Sequence, residues 1–291
     1  MRYLSVCSGI EAASVAWEPL GWKPVGFSEI EKFPCEVLKH HYPNITNYGD
    51  MTKYERWDIK PGTVDLLAGG TPCQAFSLAG LRKGMADDRS KLALTYLGIA
   101  ARLPPRWIVW ENVVGVLHSN AGRDFGTFLG SLRECGYQFC YRILDSRYFG
   151  VAQSRRRIFL VAFRGNGTGD WRYPAAALFD QSFHRSVEHR SEEVSNQIVS
   201  TCIGTVGWGK SMSDNGFTYV QDVNGVRIFT PTEIERLMGF PDGYTNIPNA
   251  KESNRYKALG NSWCVPVARW VGKRIQMVED LLSARSEGLQ S

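Results

Sequence analysis

The 291-residue sequence predicts an α/β protein with a Rossmann-like domain and a smaller, irregular second domain. Short runs of β-branched and aromatic residues alternate with longer helix-like segments, a pattern typical of a mostly parallel sheet covered by helices. The alternation stops at a polar, glycine-rich stretch over residues 164–169. From there to about residue 225 the chain is rich in turn-forming residues, which indicates a change of architecture.

The predicted elements follow one another regularly through the first 163 residues. Strands are expected at residues 3–6, 25–28, 64–68, 107–110, 142–144 and 158–163. Helices are expected at residues 12–20, 33–41, 92–103 and 125–135. Helices between consecutive strands allow those strands to run parallel.

The second half of the chain predicts two further helices. Residues 232–239 follow Thr230, a candidate N-cap, and Pro231, while residues 266–282 form a longer helix near the C-terminus. We expect this last helix to return to the first domain. The first domain then comprises residues 1–168 and 255–291, and the second comprises residues 169–254.

Composition narrows the functional classes. The net charge of +5 favours a nucleic-acid partner only slightly. Seven scattered cysteines without a Cys-x-x-Cys pair indicate reduced thiols, and neither a disulfide framework nor a metal site is expected. Because no segment has the features of a signal peptide or a membrane span, we expect a cytoplasmic protein without a membrane partner.

Cys73 is the strongest candidate for a nucleophile. It follows the predicted strand 64–68 and the pair Gly69-Gly70, so it lies where ligands bind in open α/β sheets. Pro72 restricts the backbone just before the thiol, while the glycines let the loop approach a substrate. No histidine stands in a recognisable Cys-His hydrolase context, so a thiol protease or esterase is unsupported.

Glu111 is the candidate acid, because it follows the strand 107–110 at the same sheet edge as Cys73. A carboxylic acid beside a nucleophile suits attack on a heteroaromatic ring, since protonating a ring nitrogen makes the attacked carbon electrophilic. Candidate phosphate contacts are the basic groups Arg82-Lys83, Arg89-Ser90-Lys91 and Arg155-Arg156-Arg157.

Four motifs in order resemble those of the DNA cytosine-5 methyltransferase family. They are Gly69-Gly70-Thr71-Pro72-Cys73-Gln74-Ala75-Phe76-Ser77, Trp110-Glu111-Asn112-Val113, Gln153-Ser154-Arg155-Arg156-Arg157-Ile158 and Leu259-Gly260-Asn261-Ser262. A single motif of this kind can arise by chance, whereas four in the family's order very rarely do. The resemblance implies a Rossmann-like methyltransferase domain, S-adenosylmethionine as cofactor and double-stranded DNA as partner.

The resemblance also implies a mechanism. Cys73 attacks carbon 6 of a flipped-out cytosine while Glu111 holds or protonates ring nitrogen 3, and carbon 5 then takes the methyl group. Arg155 and Arg157 contact the target base or its phosphate. The implied substrate-loop residues are Pro72, Gln74, Ser77 and Asn112, with Asn112 bracing the Pro72-Cys73 loop and residues 77–89 closing over the DNA.

A cofactor site is implied at the ends of the first strands. Its expected residues are Ser8, Gly9 and Ile10 in the first loop, Glu29 at the ribose, Ile30 beside the adenine, Asp50 at the adenine amino group, and Asn261 and Ser262. The first loop departs from the family pattern, which is an aromatic residue followed by x-Gly-x-Gly-Gly. Here the loop reads Cys7-Ser8-Gly9-Ile10-Glu11-Ala12, so the aromatic residue and the later glycines are replaced.

Residues 169–254 correspond to the family's target-recognition domain, and residues 200–211 are expected at the major groove. The bases they recognise do not follow from the sequence. The family acts mostly as monomers, which is the state expected here. A restriction-modification partner is equally unspecified by the chain.

Two alternatives remain open: an RNA cytosine-5 methyltransferase of the same fold, and a catalytically silent DNA-binding homologue. A zinc-dependent cytidine deaminase is excluded, because no second cysteine follows Pro72-Cys73 at the required spacing. An adenine amino-methyltransferase is disfavoured, because Pro104-Pro105 lacks the polar and aromatic neighbours of that family's motif.

Overall fold

The computed structural model describes residues 1–71, 90–165, 170–179, 219–222 and 225–288. Its main sheet has six strands in the order β2-β1-β3-β4-β6-β5. These strands are β1 (Arg2–Val6), β2 (Lys23–Ser28), β3 (Leu66–Gly69), β4 (Trp107–Val113), β5 (Gln138–Asp145) and β6 (Arg156–Phe163). A separate hairpin pairs β7 (Tyr219–Asp222) with β8 (Gly225–Ile228).

The direction of the strands decides where a site forms. Strands β1 to β4 run parallel, while β6 runs antiparallel to both β4 and β5. The predicted mostly parallel sheet is therefore confirmed. Since β1 lies between β2 and β3, the sheet has a switch point there, and the crevice at the carboxyl edge is the expected ligand site. The amino end of β6 reaches this same edge.

Eight α-helices are present in the described part of the chain. They are α1 (Ala12–Trp17), α2 (Lys32–His41), α3 (Ser90–Arg102), α4 (Arg123–Glu134), α5 (Arg172–Leu178), α6 (Pro231–Met238), α7 (Glu252–Asn261) and α8 (Val265–Gly288). The predicted helix 12–20 is α1 followed by a 3₁₀ turn at Glu18–Leu20, because Pro19 has no N–H to continue an α-helix.

Two helices, the β7–β8 hairpin and the ends of strands β2, β4 and β5 escaped prediction. Helix α5 is only seven residues long and lies in the turn-rich stretch. Helix α7 buries mainly Arg255, Ala258, Leu259 and Gly260, so its apolar period is too short to recognise. Strand β4 was expected to end at Trp110 but continues to Val113, because pairing with β6 extends along its whole length.

Hydrophobic cores cover both faces of the sheet. One contains Trp107 with Trp17 of α1 and Val271 of α8, and the other contains Trp110 with Phe128 of α4. Successive strand residues point to opposite faces, so a strand that is buried on both sides is apolar throughout. This explains why the strands read as continuous hydrophobic runs.

The segment after α6 also joins the main core. Phe240, Tyr244 and Ile247 pack in the same cluster as Tyr3 of β1 and Ile10. Residues 231–250 therefore share a core with the predicted first domain, although they fall within the predicted second one. The division at residue 254 stays a prediction.

Candidate active site and cofactor cavity

A cavity of about 610 Å³ opens at the carboxyl ends of β1 to β4. Its volume falls within the range of small-molecule sites. It is lined by Cys7, Gly9, Ser28, Glu29, Ile30, Glu31, Pro34, Gly49, Asp50, Met51, Gly70, Thr71, Leu92, Glu111, Asn112, Val113, Arg155, Arg157, Ala258, Gly260 and Asn261. Residues of all four quoted motifs thus meet in one cavity at the switch point of the sheet.

Glu111 is a buried carboxyl in the wall of this cavity, 8% exposed. Its Oε1 lies 3.3 Å from Nε of Arg157. The two residues occupy diagonal positions on paired strands, since Arg157 lies opposite Val113 and Phe159 lies opposite Glu111. The antiparallel β6 therefore places a cation beside the acid.

Burial raises the pKa of Glu111, and three neighbours oppose that rise. The charges of Arg155 and Arg157, and hydrogen bonding from the Trp263 indole, lower the pKa, but desolvation prevails. A carboxyl with a raised pKa retains a proton closer to neutrality than an ordinary glutamate does. Glu111 is thereby suited to act as a general acid.

Arg155 joins two of the sequence motifs. It is 3% exposed, and its Nη2 donates to the carbonyl oxygens of Gly260 at 3.0 Å and Ser262 at 2.8 Å. These bonds connect the start of β6 to the end of α7. Arg155 also lines the cavity. Its two bonds hold the Gly260-to-Ser262 segment against the cavity wall.

The chain leading towards the predicted nucleophile is fixed at Thr71. Asn112 Nδ2 donates to the Thr71 carbonyl oxygen at 2.9 Å, and Trp110 Nε1 donates to Thr71 Oγ1 at 3.2 Å. Asn112 thus holds Thr71, the residue before Pro72, and the implied bracing of the Pro72-Cys73 loop itself stays a prediction. The predicted residues Pro72, Cys73, Gln74 and Ser77, and the loop 77–89, lie outside the described residues.

Glu29 organises the cofactor side of the cavity. Its Oε2 accepts from the backbone N–H of Gly9, and its Oε1 accepts from those of Ile30 and Glu31, each at 2.8 Å. The carboxylate therefore ties the loop after β1 to the loop after β2. Beside it, Ile30 is 72% exposed and presents an apolar side chain at the cavity rim.

Asp50 provides a second carboxylate on this side. Its Oδ1 accepts from N and Oγ1 of Thr52 at 2.9 and 2.8 Å. These hydrogen bonds lower its pKa, so Asp50 remains ionised at neutral pH. An ionised carboxylate at the cavity wall can accept hydrogen bonds from an amino or hydroxyl group of a ligand.

Three predicted cofactor residues do not line the cavity. Ser8 Oγ donates to the Ser5 carbonyl and accepts from N of Ser28, so it joins β1 to β2. Ile10 is fully buried in the core. Ser262 directs its hydroxyl to the Trp263 carbonyl, while its neighbour Asn261 does line the cavity.

The C-5 cytosine-specific DNA methylase family model matches residues 1–201 and 179–277 of the chain. The chain belongs to this family. It is 29% identical to the DNA N-6-adenine-methyltransferase of Escherichia phage P1 over 94% of this chain, and it spans 61% of that protein's length. It is also 29% identical to the type II methyltransferase M.BsuFI of Bacillus subtilis, over 100% of this chain and 75% of that protein.

A solved structure shares the fold. The S. pombe Dnmt2 methyltransferase superposes with a TM-score of 0.69 at 22% identity, covering 96% of this chain and 99% of that one. At this level of identity the likeness supports the architecture alone. The chain therefore shares the fold of that protein.

Several residues in or beside the cavity were not singled out from the sequence. Gly70 and Thr71 stand inside a quoted motif, as Cys7 does in the first loop, so their positions carried a signal. Met51, Leu92 and Ala258 carried none, because apolar residues in helices and turns resemble ordinary core positions. Trp263 has no motif of its own, and the sequence signal for its place near the site is its position directly after the Gly-Asn-Ser motif.

Within the ranges given above, no three His, Cys, Asp or Glu side chains converge as they do around a metal ion. Five cysteines in those ranges, Cys7, Cys35, Cys135, Cys140 and Cys264, are free thiols. None of the helices described has the length and apolar character of a membrane span.

Proposed function

We propose that this methylase transfers a methyl group from S-adenosylmethionine to carbon 5 of a cytosine in a short, specific sequence of double-stranded DNA. The observation that carries the proposal is the buried Glu111 carboxyl, which lies beside Arg157 and lines the same cavity as the Asn112-braced Thr71. Cys73 follows Thr71 by two residues in the chain. We therefore assign the proposed acid Glu111 and the proposed nucleophile Cys73 to one site.

The residues divide the chemistry between them. The Cys73 thiolate forms a bond to carbon 6, while protonated Glu111 donates to ring nitrogen 3 and so removes electron density from the ring. S-adenosylmethionine, when bound, supplies the methyl group that carbon 5 receives. Loss of the carbon 5 proton then re-forms the ring double bond, breaks the bond from carbon 6 to sulfur and frees Cys73.

The arginines support this acid. Arg157 lies against Glu111 and stabilises the carboxylate that remains after proton transfer. Arg155 holds the Gly260-to-Ser262 segment, so it keeps Asn261 at the cavity. We assign contact with the target base or its phosphate to Arg157 first, because its side chain is the more exposed of the two.

The cavity residues fit S-adenosylmethionine. Glu29 and Asp50 offer carboxylate oxygens for ribose hydroxyls and an adenine amino group, and Ile30 offers an apolar surface for a flat ring. Gly9 and Asn261 complete the site, while Ser8, Ile10 and Ser262 shape it from behind. The carboxylate acceptors and the apolar surface together suit an adenosine better than a phosphate, because carboxylates would repel a phosphate.

The DNA side of the proposal rests on the remaining predictions. A cytosine within a duplex hides its ring face, so the base must be flipped out for Cys73 to reach it. Residues 169–254 are the proposed recognition domain, and the basic loop 77–89 is the proposed cover over the DNA. With DNA as substrate, we place the protein in a bacterial cytoplasm, acting as a monomer.

The deciding experiment measures transfer of labelled methyl groups to three substrates: unmethylated duplex DNA, transfer RNA and DNA duplexes that contain only A·T pairs. We expect label in DNA as 5-methylcytosine, abolished by Cys73→Ala. The matched control is Cys140→Ala, which removes a thiol of β5 outside the cavity and leaves the rate within about twofold. Label on RNA alone, or on adenine, would contradict the proposal.

A trapping experiment tests the covalent step itself. DNA with 5-fluorocytosine at the target has no carbon 5 proton to lose, so Cys73 cannot be released after methyl transfer. The wild type then forms a protein–DNA adduct that survives denaturing electrophoresis, and Cys73→Ala forms none. An adduct that persists in Cys73→Ala would assign the nucleophile to another residue.

A further inference from the structure

The first loop of the cofactor site adopts a backbone that its residues do not favour. Cys7 and Glu11 have φ of +50° and +64°, in the left-handed region, and Glu11 stands where the family pattern has a glycine. Non-glycine residues keep such conformations only where the surrounding structure holds them. The loop therefore needs support that glycines would make unnecessary.

Tyr244 contacts this loop from the core side. Its hydroxyl donates to the Ile10 carbonyl oxygen at 2.9 Å, between Gly9 and Glu11. Its ring stacks on His41 with centroids 4.1 Å apart and planes within 1°, and His41 Nε2 donates to the Tyr244 carbonyl at 2.8 Å. Both the ring and the backbone of Tyr244 are thus held by α2.

A buried carboxylate fixes the turn that carries Tyr244. Glu235 of α6 is fully buried and accepts from N of Gly243 at 2.7 Å, N of Thr245 at 2.8 Å and Thr245 Oγ1. Arg255 of α7 pairs with it at 3.1 Å. Because the residues on either side of Tyr244 are bonded to one carboxylate, the hydroxyl has little freedom to leave the loop.

The loop in turn passes this constraint to the cavity. Gly9 precedes Ile10, and its N–H donates to Glu29 at 2.8 Å. The Ile10 carbonyl belongs to the Ile10–Glu11 peptide and the Gly9 N–H to the Ser8–Gly9 peptide, with one planar peptide between them. A displaced Ile10 carbonyl would therefore shift that intervening peptide and lengthen the bond from Gly9 to Glu29. Gly9 and Glu29 both line the cavity, so a change behind the loop alters its wall.

We propose that Tyr244 is a positioning residue for the cofactor loop, and that its hydrogen bond to Ile10 sets the affinity for S-adenosylmethionine. The inference rests on the proposed function, because it takes the cavity as the cofactor site. It gives the segment 231–245, which falls within the proposed recognition domain, a role at the cofactor loop. In this chain the hydrogen bond from Tyr244 holds the loop in the conformation that glycines favour in the family pattern.

The test compares wild type, Tyr244→Phe and Tyr137→Phe. Tyr244→Phe keeps the ring and the His41 stack but removes the 2.9 Å bond to Ile10, together with a longer contact of 3.4 Å to the Tyr42 hydroxyl. Tyr137→Phe is the matched control, because its buried hydroxyl donates to the Pro105 carbonyl at 2.7 Å, away from the cavity. Calorimetry measures the dissociation constants of S-adenosylmethionine and S-adenosylhomocysteine, and hydrogen exchange follows residues 7–14 without ligand.

We expect Tyr244→Phe to raise both dissociation constants roughly three- to tenfold, the effect of one hydrogen bond. Exchange in residues 7–14 should quicken, while kcat at saturating S-adenosylmethionine stays within about twofold. Tyr137→Phe should leave the dissociation constants unchanged despite a similar loss of thermal stability. Glu235→Gln loosens the turn that carries Tyr244 but keeps the Tyr244 hydroxyl, and it should also raise both dissociation constants.

Equal dissociation constants for wild type and folded Tyr244→Phe would overturn the inference, as would an equal rise in Tyr137→Phe. A wild type that binds S-adenosylmethionine but methylates no DNA would refute the proposed function alone, and the binding comparison would still decide the role of Tyr244. A wild type that binds neither ligand would refute both.

Discussion

Glu111 shows how single residues set the chemistry of the site. Desolvation raises its pKa, while Arg155, Arg157 and the Trp263 indole lower it. A Cβ at Gly70 would lie 3.1 Å from Glu111 Oε2 and 3.4 Å from Trp263 Nε1, so the carboxylate and the indole face the same point. The proton on Glu111 is therefore governed by a neutral donor as well as by two cations.

Trp263→Phe should move the pH profile of methyl transfer. Removing the indole N–H takes away a group that stabilises the carboxylate, so the pKa of Glu111 rises further and the acid stays protonated to higher pH. The alkaline limb of kcat/KM should shift upward. Phenylalanine retains packing near Trp17 and Phe159. Trp22→Phe, which removes a distant indole bond to Gln276, should leave the profile in place.

Glu11 should make stability depend on pH. Burial raises its pKa to about 7 from an ordinary value near 4.5. Between these values the folded chain keeps a proton that the unfolded chain has lost, so stability is highest below about pH 4.5 and falls as pH rises to 7. Glu11→Gln should remove this contribution, worth at most roughly 3 kcal/mol. Urea unfolding at pH 5 and pH 8 compares the two proteins; an identical pH dependence would contradict the assignment.

At the scale of elements, the close approach of β3 and β4 brings the two motifs together. The end of β3 passes so near β4 that a Cβ at Gly70 would lie 2.8 Å from the Glu111 carbonyl oxygen. Such a contact is shorter than real Cβ contacts, so only glycine allows this spacing. The Gly-Gly pair thus sets the distance between the nucleophile loop and the acid.

Gly70→Ala should therefore damage the site more than the fold. The new methyl group pushes β3 from Glu111, and a displacement near 1 Å costs about a hundredfold in rate. Gly130→Ala, on the open face of α4, meets nothing within 4 Å and should be neutral or stabilising by up to about 1 kcal/mol. Rates of methyl transfer and melting temperatures distinguish the two. Full activity in Gly70→Ala would show that the approach is not required.

The same elements show what the sequence predicts well. Strands that are buried on both faces are easily predicted, because their sequences are unbroken apolar runs, as in Trp107 to Trp110 and Ile158 to Phe163. The antiparallel direction of β6 has no such signal, yet it decides that Arg157 meets Glu111. Helices α5 and α7 were missed because short or polar segments become helical only when tertiary contacts support them.

At the scale of the whole molecule, long-range contacts determined what the motifs left open. Ser8 and Ile10 were predicted at the cofactor but are not among the residues that line the cavity, since a loop motif gives position along the chain and not the direction of each side chain. The bond from Tyr244 to Ile10 joins residues 234 positions apart, and no local pattern reveals it. The site therefore depends on how the C-terminal segment packs onto β1.

Binding of S-adenosylmethionine should accordingly stabilise the whole chain. A ligand that binds only the folded state at a hundred times its dissociation constant adds about 2.7 kcal/mol. Glu29→Gln should abolish most of this gain. The amide nitrogen cannot accept from the backbone N–H groups that Glu29 now holds at 2.8 Å, so the loops after β1 and β2 separate. Glu134→Gln, at an exposed end of α4, is the control.

The measurement is the melting temperature with and without S-adenosylmethionine. Wild type and Glu134→Gln should melt several degrees higher with ligand, and Glu29→Gln should melt at nearly the same temperature in both conditions. If Glu29→Gln gained as much stability as the wild type, the carboxylate would serve only to shape the free loops. In that outcome a ligand is held mainly by Asp50, Asn261 and the apolar rim at Ile30, because three of the roughly four acceptor positions of Glu29 are filled by backbone N–H groups.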